Sequence, residues 1–244
     1  MKTKETQFGF KKIAKSEKVK RVREVFDSVS NNYDLMNNLM SFGLHKMWKK
    51  IIIETSSLPK QAKILDVAAG TADITLAFAQ LDKDFQIFQT DINYSMLMEG
   101  QKKLINHGVI TPAITCDAEA LPFPNNFFDC VTLGFGLRNM TNIDKALKEI
   151  YRVLAPGGKI IILEFSHVHK HLKKAYDFFS FNLIPKLGKV FAKDESSYQY
   201  LVESIRMHPN QEALKSIMEA EAFENVSFIN ISGGIVAIHK GYKI

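Results

Sequence analysis

Residues Ile64-Leu65-Asp66-Val67-Ala68-Ala69-Gly70-Thr71-Ala72-Asp73 constrain the fold more than any other stretch. An apolar run stops at a cluster of small residues and passes straight into a helical pattern. That is the order of a buried strand, a tight turn and a helix start, and small turn residues let backbone come close to a ligand. Asp91 closes the next apolar run, about 20 positions after Gly70, where an acidic side chain can meet a ribose diol. The chain is therefore expected to bind an adenosine-bearing cofactor.

The remaining pattern extends this unit. Residues 1–15 are polar and basic and read as a loose leader. Ser16 is placed to cap a helix carrying Val19, Val22, Val25, Phe26 and Val29 at helical spacing, and a second helix is expected over about Lys46–Glu54. These helices, about 16–55, would cap a core at about 61–166. In that core strands are predicted at Lys63–Val67, Gln86–Asp91, Ala113–Cys116, Phe128–Gly134 and Lys159–Phe165. Helices alternate with them. Asn142 is placed to cap the last, and Pro156-Gly157-Gly158 to end it. Runs apolar on both faces mean parallel strands covered by helices. Residues 169–220 read as a helical insertion. Val226–Ile231 and Ile235–His239, joined through Gly233-Gly234, read as a hairpin. The predicted fold class is α/β, a mostly parallel seven-stranded sheet ending in an antiparallel hairpin and bearing a helical cap. It resembles the Rossmann-like S-adenosylmethionine-dependent methyltransferases of class I, as one domain over 1–244.

The turn chemistry separates the adenosine cofactors. A dinucleotide site needs several glycines to seat a pyrophosphate on a helix N-terminus, and here only Gly70 is glycine. Asp66 would repel a pyrophosphate but suits a cofactor bearing an amino group and a sulfonium, so S-adenosylmethionine is favoured over NAD. Asp117, with the backbone of Ala118, follows the third strand and can hold an adenine edge. Each acid also has a plainer reading, Asp91 as a helix cap and Asp117 as an Asx turn.

Composition narrows the surroundings. The chain is 46% hydrophobic and 24% charged, with a net charge of +6, which permits an anionic partner without requiring one. The two cysteines, Cys116 and Cys130, lie in separate strands without metal-ligand spacing, so free thiols are expected and no metal. No secretory signal and no membrane-spanning run is read, and a cytoplasmic location is expected.

Several segments resemble the UbiE/MenG methyltransferases of ubiquinone and menaquinone biosynthesis. These are residues 33–48 (YDLMNNLMSFGLHKMW), Arg152–Gly158 (RVLAPGG), residues 117–129 (DAEALPFPNNFFD), residues 135–142 (FGLRNMTN), and residues 197–214 (SYQYLVESIRMHPNQEAL). The resemblance implies C-methylation of a prenylated hydroquinone, demethylmenaquinol first and a polyprenyl methoxybenzoquinol as alternative. It puts cofactor contacts on Thr71, Asp91, Asp117 and Ala118, beside Gly70 and Asp66. Ala69 and Ala72 stand where glycine is usual in the family, so a positive φ there would be costly. Gly134 stands where some members carry a serine thought to contact the cofactor.

Methylating a ring carbon calls for a cation or donor that stabilises phenolate. Arg138 and Asn139, just past the fourth strand, are the candidates, with Tyr33 and His45 in the cap behind them. Expected partners are the membrane-borne quinol and, peripherally, the inner face of the membrane carrying it. A homodimer is allowed and nucleic acid is not expected. Residues 170–193 mix apolar residues and lysines and fit an interfacial segment as well as a lid over the pocket. The competing classes are a nucleic-acid methyltransferase, which would usually carry an Asn/Asp-Pro-Pro-aromatic motif where Gly134-Phe135-Gly136-Leu137-Arg138-Asn139 stands, a NAD oxidoreductase, and a non-catalytic binding module.

Overall fold

The structure, a computed structural model, describes residues 5–29, 37–38, 41, 43–189 and 194–244. The chain opens with a hairpin, β1 (Glu5–Phe8) and β2 (Lys11–Ala14), then α1 (Lys15–Val29) and α2 (His45–Ser56). The core follows as β3 (Lys63–Val67), α3 (Asp73–Leu81), β4 (Gln86–Asp91), α4 (Tyr94–Asn106), β5 (Ala113–Thr115), β6 (Phe128–Gly134), α5 (Ile143–Val153) and β7 (Leu154–Phe165). The last stretch is α6 (Lys170–Phe178), a π-helical turn (Phe179–Leu183), α7 (Ile184–Leu187), α8 (Glu195–Met207), α9 (Gln211–Ala220), β8 (Glu224–Ile231) and β9 (Val236–Tyr242).

Seven strands form one sheet in the order β5-β4-β3-β6-β7-β9-β8. Pairing is parallel from β5 through β7, and β9 runs antiparallel to both its neighbours. Alternation sorts the apolar strand residues onto two faces. Ile64, Ile161 and Leu163 join Trp48 and Ile52 of α2, Phe78 of α3, and Tyr198 and Leu201 of α8. Leu65, Val67, Ile160 and Ile162 join Leu147 and Ile150 of α5 and Leu214 and Met218 of α9. Burying both faces explains why β3 and β7 read as continuous apolar runs, each such side chain contributing about 1.5–3 kcal/mol.

Three local expectations are corrected. Residues 5–14 are paired strands rather than a loose leader, and Phe8 stacks on Tyr200 of α8 with centroids 4.2 Å apart. Helix α1 starts at Lys15, directly off β2, so Ser16 lies inside its first turn and does not cap it. Pro156-Gly157-Gly158 does not end a helix. Helix α5 stops at Val153, and the triplet is a bulge inside β7, where pairing with β6 jumps from Phe128↔Leu154 to Cys130↔Lys159. Gly157 has φ +81°, and its N–H donates to the Lys243 carbonyl at 2.7 Å, so the bulge stitches the C-terminal strand to the sheet.

Asn142 caps α5 as expected, its side chain accepting from the Lys145 N–H. Asn93 does the same for α4 through the Met96 N–H, which frees Asp91 from capping. Cys116 and Cys130 are free thiols, and burial pushes Cys130 up to about 12.

Candidate active site

The C-terminal ends of β3, β4, β5 and β6 open into a cleft of about 830 Å³, part of it continuous with solvent. This is where parallel α/β sheets bind ligands. Its walls include Gly70, Asp91, Met96, Asp117, Ala118, Gly134 and Asn139, and α1 closes one side with Val19, Val22, Arg23 and Phe26. The cap role expected for the N-terminal helix is thus physical contact with the pocket.

Three hydrogen bonds hold α1 there. The buried Lys18 Nζ donates to the Met140 carbonyl at 2.7 Å, and burial lowers this ammonium to about 8. Asn93 Nδ2 donates to Asp27 Oδ1 at 2.8 Å. Arg23 Nη2 also donates to the Ile92 carbonyl at 3.4 Å, so α1 is tied to the segment after β6 and to the turn between β4 and α4.

The turn after β3 is strained where the sequence lacks glycine. Ala68 has φ +53° and Ala72 φ +62°, both left-handed, beside Gly70 at φ +54°; Ala69 is not among the positive-φ residues. A left-handed alanine costs about 1–2 kcal/mol, so surrounding contacts must hold the turn. The Gly70 N–H donates to Asp91 Oδ2 at 2.9 Å, and the Ala69 N–H donates to the Thr90 carbonyl at 3.0 Å. Helix α4 presses against the loop at Gly100, where an added Cβ would lie 2.7 Å from the Gly70 oxygen and 3.0 Å from the Ala72 Cβ. Gly100→Ala is therefore expected to destabilise the fold by about 1–3 kcal/mol through overpacking. It should also weaken cofactor binding, read by calorimetry and by titration with S-adenosylmethionine.

Asp91 is the electrostatic centre of the cleft. Its Oδ1 accepts from the Asn93 N–H at 2.8 Å, its Oδ2 takes the Gly70 N–H, and no cation pairs with it among the described residues. Burial pushes its carboxyl up to about 6. Each oxygen keeps a further lone pair for a hydroxyl, so a diol reaching both oxygens would favour the ionised form. Asp117 lines the cleft with its Oδ1 accepting from the Glu119 N–H at 2.9 Å, so it makes the Asx turn and still faces the pocket.

Asp66 is placed differently from its expectation. It is 1% exposed and does not line the cleft; its oxygens accept from Thr75 Oγ1 at 2.8 Å and Thr132 Oγ1 at 3.0 Å. Burial pushes it up to about 6. It anchors α3 and β6 to the end of β3 rather than meeting a ligand's charge directly. Thr71 follows the lining residue Gly70 but is not itself part of the wall.

Arg138 also departs from its expectation. Instead of facing the pocket as a free cation, its side chain is 4% exposed and turns inward. Nη1 donates to Glu164 Oε1 at 2.6 Å and to the Phe135 carbonyl at 2.6 Å. Glu164, buried at the end of β7, needs a cation there, and that demand takes the guanidinium. Asn139 does line the cleft. Its Oδ1 accepts from Tyr200 Oη at 3.0 Å and its Nδ2 donates to the Phe135 carbonyl at 3.4 Å. With the carbonyl end engaged, what Asn139 can offer a ligand is an N–H. Arg23 and Phe26 in the cleft wall and Tyr200 behind Asn139 are site residues that no motif in the sequence marks. Phe26 was visible only as one residue of an apolar face, and nothing local in the sequence ties Tyr200 to Asn139, 61 positions away.

His45 is buried at the start of α2, its Nε2 3.0 Å from Asn38 Oδ1, and does not line the cleft. Tyr33 lies outside the described residues.

The sheet order, the carboxylate at the end of β4 and the cleft above the strands define a Rossmann-like S-adenosylmethionine-dependent methyltransferase. Solved structures share the fold. A [4+2]-cyclase, SpnF, aligns with TM-score 0.62 at 18% identity, covering 81% of this chain and 80% of its own. Haemonchus contortus phosphoethanolamine N-methyltransferase 2 in complex with S-adenosyl-L-methionine aligns with TM-score 0.61 at 16% identity, covering 80% of this chain and 52% of its own. The chain belongs to the ubiE/COQ5 methyltransferase family, whose model matches residues 12–243. It is 54% identical over 239 residues to the ubiquinone/menaquinone biosynthesis C-methyltransferase UbiE of Burkholderia mallei, covering 98% of each chain, and equally similar to that of Burkholderia thailandensis.

Proposed function

We propose that the chain methylates a ring carbon of a prenylated hydroquinone in ubiquinone and menaquinone biosynthesis, with demethylmenaquinol as first substrate and the polyprenyl methoxybenzoquinol as second. The family membership and the near-complete alignment with relatives carrying both pathway names support the class. The observation that carries the site is Asp91, a buried carboxylate with backbone donors on both oxygens and no cation, at the mouth of β4. It fits the ribose of S-adenosylmethionine, with Asp117 and Ala118 at the adenine and the turn around Gly70 against the amino-acid end.

Bound there, S-adenosylmethionine supplies an electrophilic methyl group. The protein has to bring a ring carbon into line with it and exclude water. Val22, Phe26, Phe135 and Met140 give the cleft apolar walls for a flat ring. Transfer would break the methyl–sulfur bond as the carbon–carbon bond forms, and the ring carbon would then lose its proton to restore aromaticity. A donor aimed at the phenolic oxygen stabilises the charge that makes the carbon nucleophilic, and the Asn139 N–H is that donor. Arg138 serves at one remove, fixing the Phe135 carbonyl on which Asn139 also rests.

The test is an anaerobic incubation with labelled S-adenosylmethionine, demethylmenaquinol, its oxidised quinone and a benzoquinol precursor in parallel. Label in the naphthoquinol and none from the quinone is expected. Label in the benzoquinol alone would reverse the substrate order, and cofactor binding without transfer to either quinol would refute the substrate class.

A further inference from the structure

The segment from Lys170 to Lys189 is amphipathic in a way that settles which side does what. Its inward residues are Tyr176, Ser180, Ile184 and Pro185, all buried, and Ile184 belongs to the same core as Trp48 and Tyr198. Its outward side carries Phe178, 62% exposed, and Leu183, 42% exposed. The π-helical turn between them brings residues five apart onto one side. Lys170, Lys173, Lys174 and Lys186 lie on the same segment, all exposed.

A second element adds to this patch. Phe10, at the tip of the β1–β2 hairpin, is 54% exposed, with its ring centroid 6.1 Å from that of Phe181, and Lys11 and Lys12 follow it. Arg206 of α8 supports the patch from beneath. It lies 5.3 Å from the Phe181 ring and 5.1 Å from the Tyr176 ring and is paired with Asp177.

The acids nearby are already occupied. Asp177 holds Arg206, Glu195 pairs with Lys189 at 3.2 Å, and Glu203 accepts from the Phe10 N–H at 3.1 Å and from Gln199 at 2.8 Å. Lys11, Lys12, Lys170, Lys173, Lys174 and Lys186 form no ion pair among the described residues. Exposed apolar side chains ringed by uncompensated lysines match an anionic bilayer, where the apolar groups enter the acyl boundary and the ammonium groups sit over phosphates. The same patch on a second copy, related by a two-fold axis, would set lysine against lysine.

We propose that this face, built from Phe10, Phe178 and Leu183 with the lysines around them, docks on an anionic lipid surface. The argument rests on the surface and is independent of which quinol is methylated. Helix α8 joins the two regions, Arg206 lying under the patch and Tyr200 against Asn139.

The test is co-sedimentation of the full chain with vesicles of mixed phosphatidylglycerol and phosphatidylcholine, and with pure phosphatidylcholine. Binding to the anionic vesicles, weak or absent on the neutral ones and reduced by salt, is expected. Phe178→Ser with Leu183→Ser, and separately Lys173→Glu with Lys174→Glu, should each weaken binding by about tenfold or more, with melting temperature unchanged. Equal binding to both vesicle types, no binding to either, or variants that bind like the parent would overturn the proposal. So would sedimentation velocity showing a dimer that the Phe178→Ser, Leu183→Ser variant abolishes, which would give the face to a second copy. Binding is read without substrate, so its failure and that of the quinol assay are separate results.

Discussion

Asp91→Asn is expected to weaken S-adenosylmethionine binding about a hundredfold, measured by titration calorimetry. Two charge-assisted hydrogen bonds to the ribose diol would each lose about 1.5 kcal/mol, and the two together correspond to about two decades in affinity. The same carboxylate gives the parent protein a pH signature. Its folded value of about 6 lies above the ordinary carboxylate range, because burial disfavours the charge. Asp66 behaves alike for the same reason. For a raised acid the sign is fixed: the stabilisation is fully present below the unfolded value near 4 and is lost as pH rises through 6. The ligand-free protein should therefore lose about 3 kcal/mol per carboxylate on going from acid to neutral pH, from these two groups alone. Cofactor binding moves the other way, since the diol selects ionised Asp91. Affinity should fall about tenfold between pH 7.5 and pH 5, and Asp91→Asn should flatten that profile. A parent profile already flat would remove Asp91 from the ribose.

Glu164→Gln is expected to destabilise the fold by about 3–5 kcal/mol, because it leaves the Arg138 guanidinium buried without its counter-charge. For a chain of this size that is a fall of roughly 10 °C in melting temperature. Pairing it with Arg138→Met should recover much of the loss, since replacing both partners removes the stranded charge. Neither residue lines the cleft, so affinity for S-adenosylmethionine should change far less than stability. A Glu164→Gln protein that melts normally yet has lost turnover would return Arg138 to direct contact with the acceptor.

The parts of the molecule legible in sequence are those governed by local rules. Strands buried on both faces announce themselves as apolar runs, and Asn142 could be read as a cap because its partner lies three residues away. Asp91 was legible because the strand that ends at it fixes where it points. Arg138 was not. Its direction is set by Glu164, 26 residues on and on another strand, and no local pattern encodes which of two neighbours a guanidinium will choose. The β1–β2 hairpin escaped for a related reason. Its strands are four residues each, mostly polar, and are held by Phe8 stacking on Tyr200 rather than by any pattern of their own. The bulge at Pro156-Gly157-Gly158 is fixed by the far end of the chain, through Lys243.

The anchoring of α1 bears on how firmly the cleft is walled. A helix that forms a wall of the cleft and is tied at Met140 on one side and Asn93 on the other works as a latch. Lifting α1 from the cleft would break its hydrogen bonds to Met140, Ile92 and Asn93 and return the Lys18 ammonium, which burial lowers to about 8, to water. A lysine outside the cleft's lining thus helps to set how firmly one wall of the cleft is held.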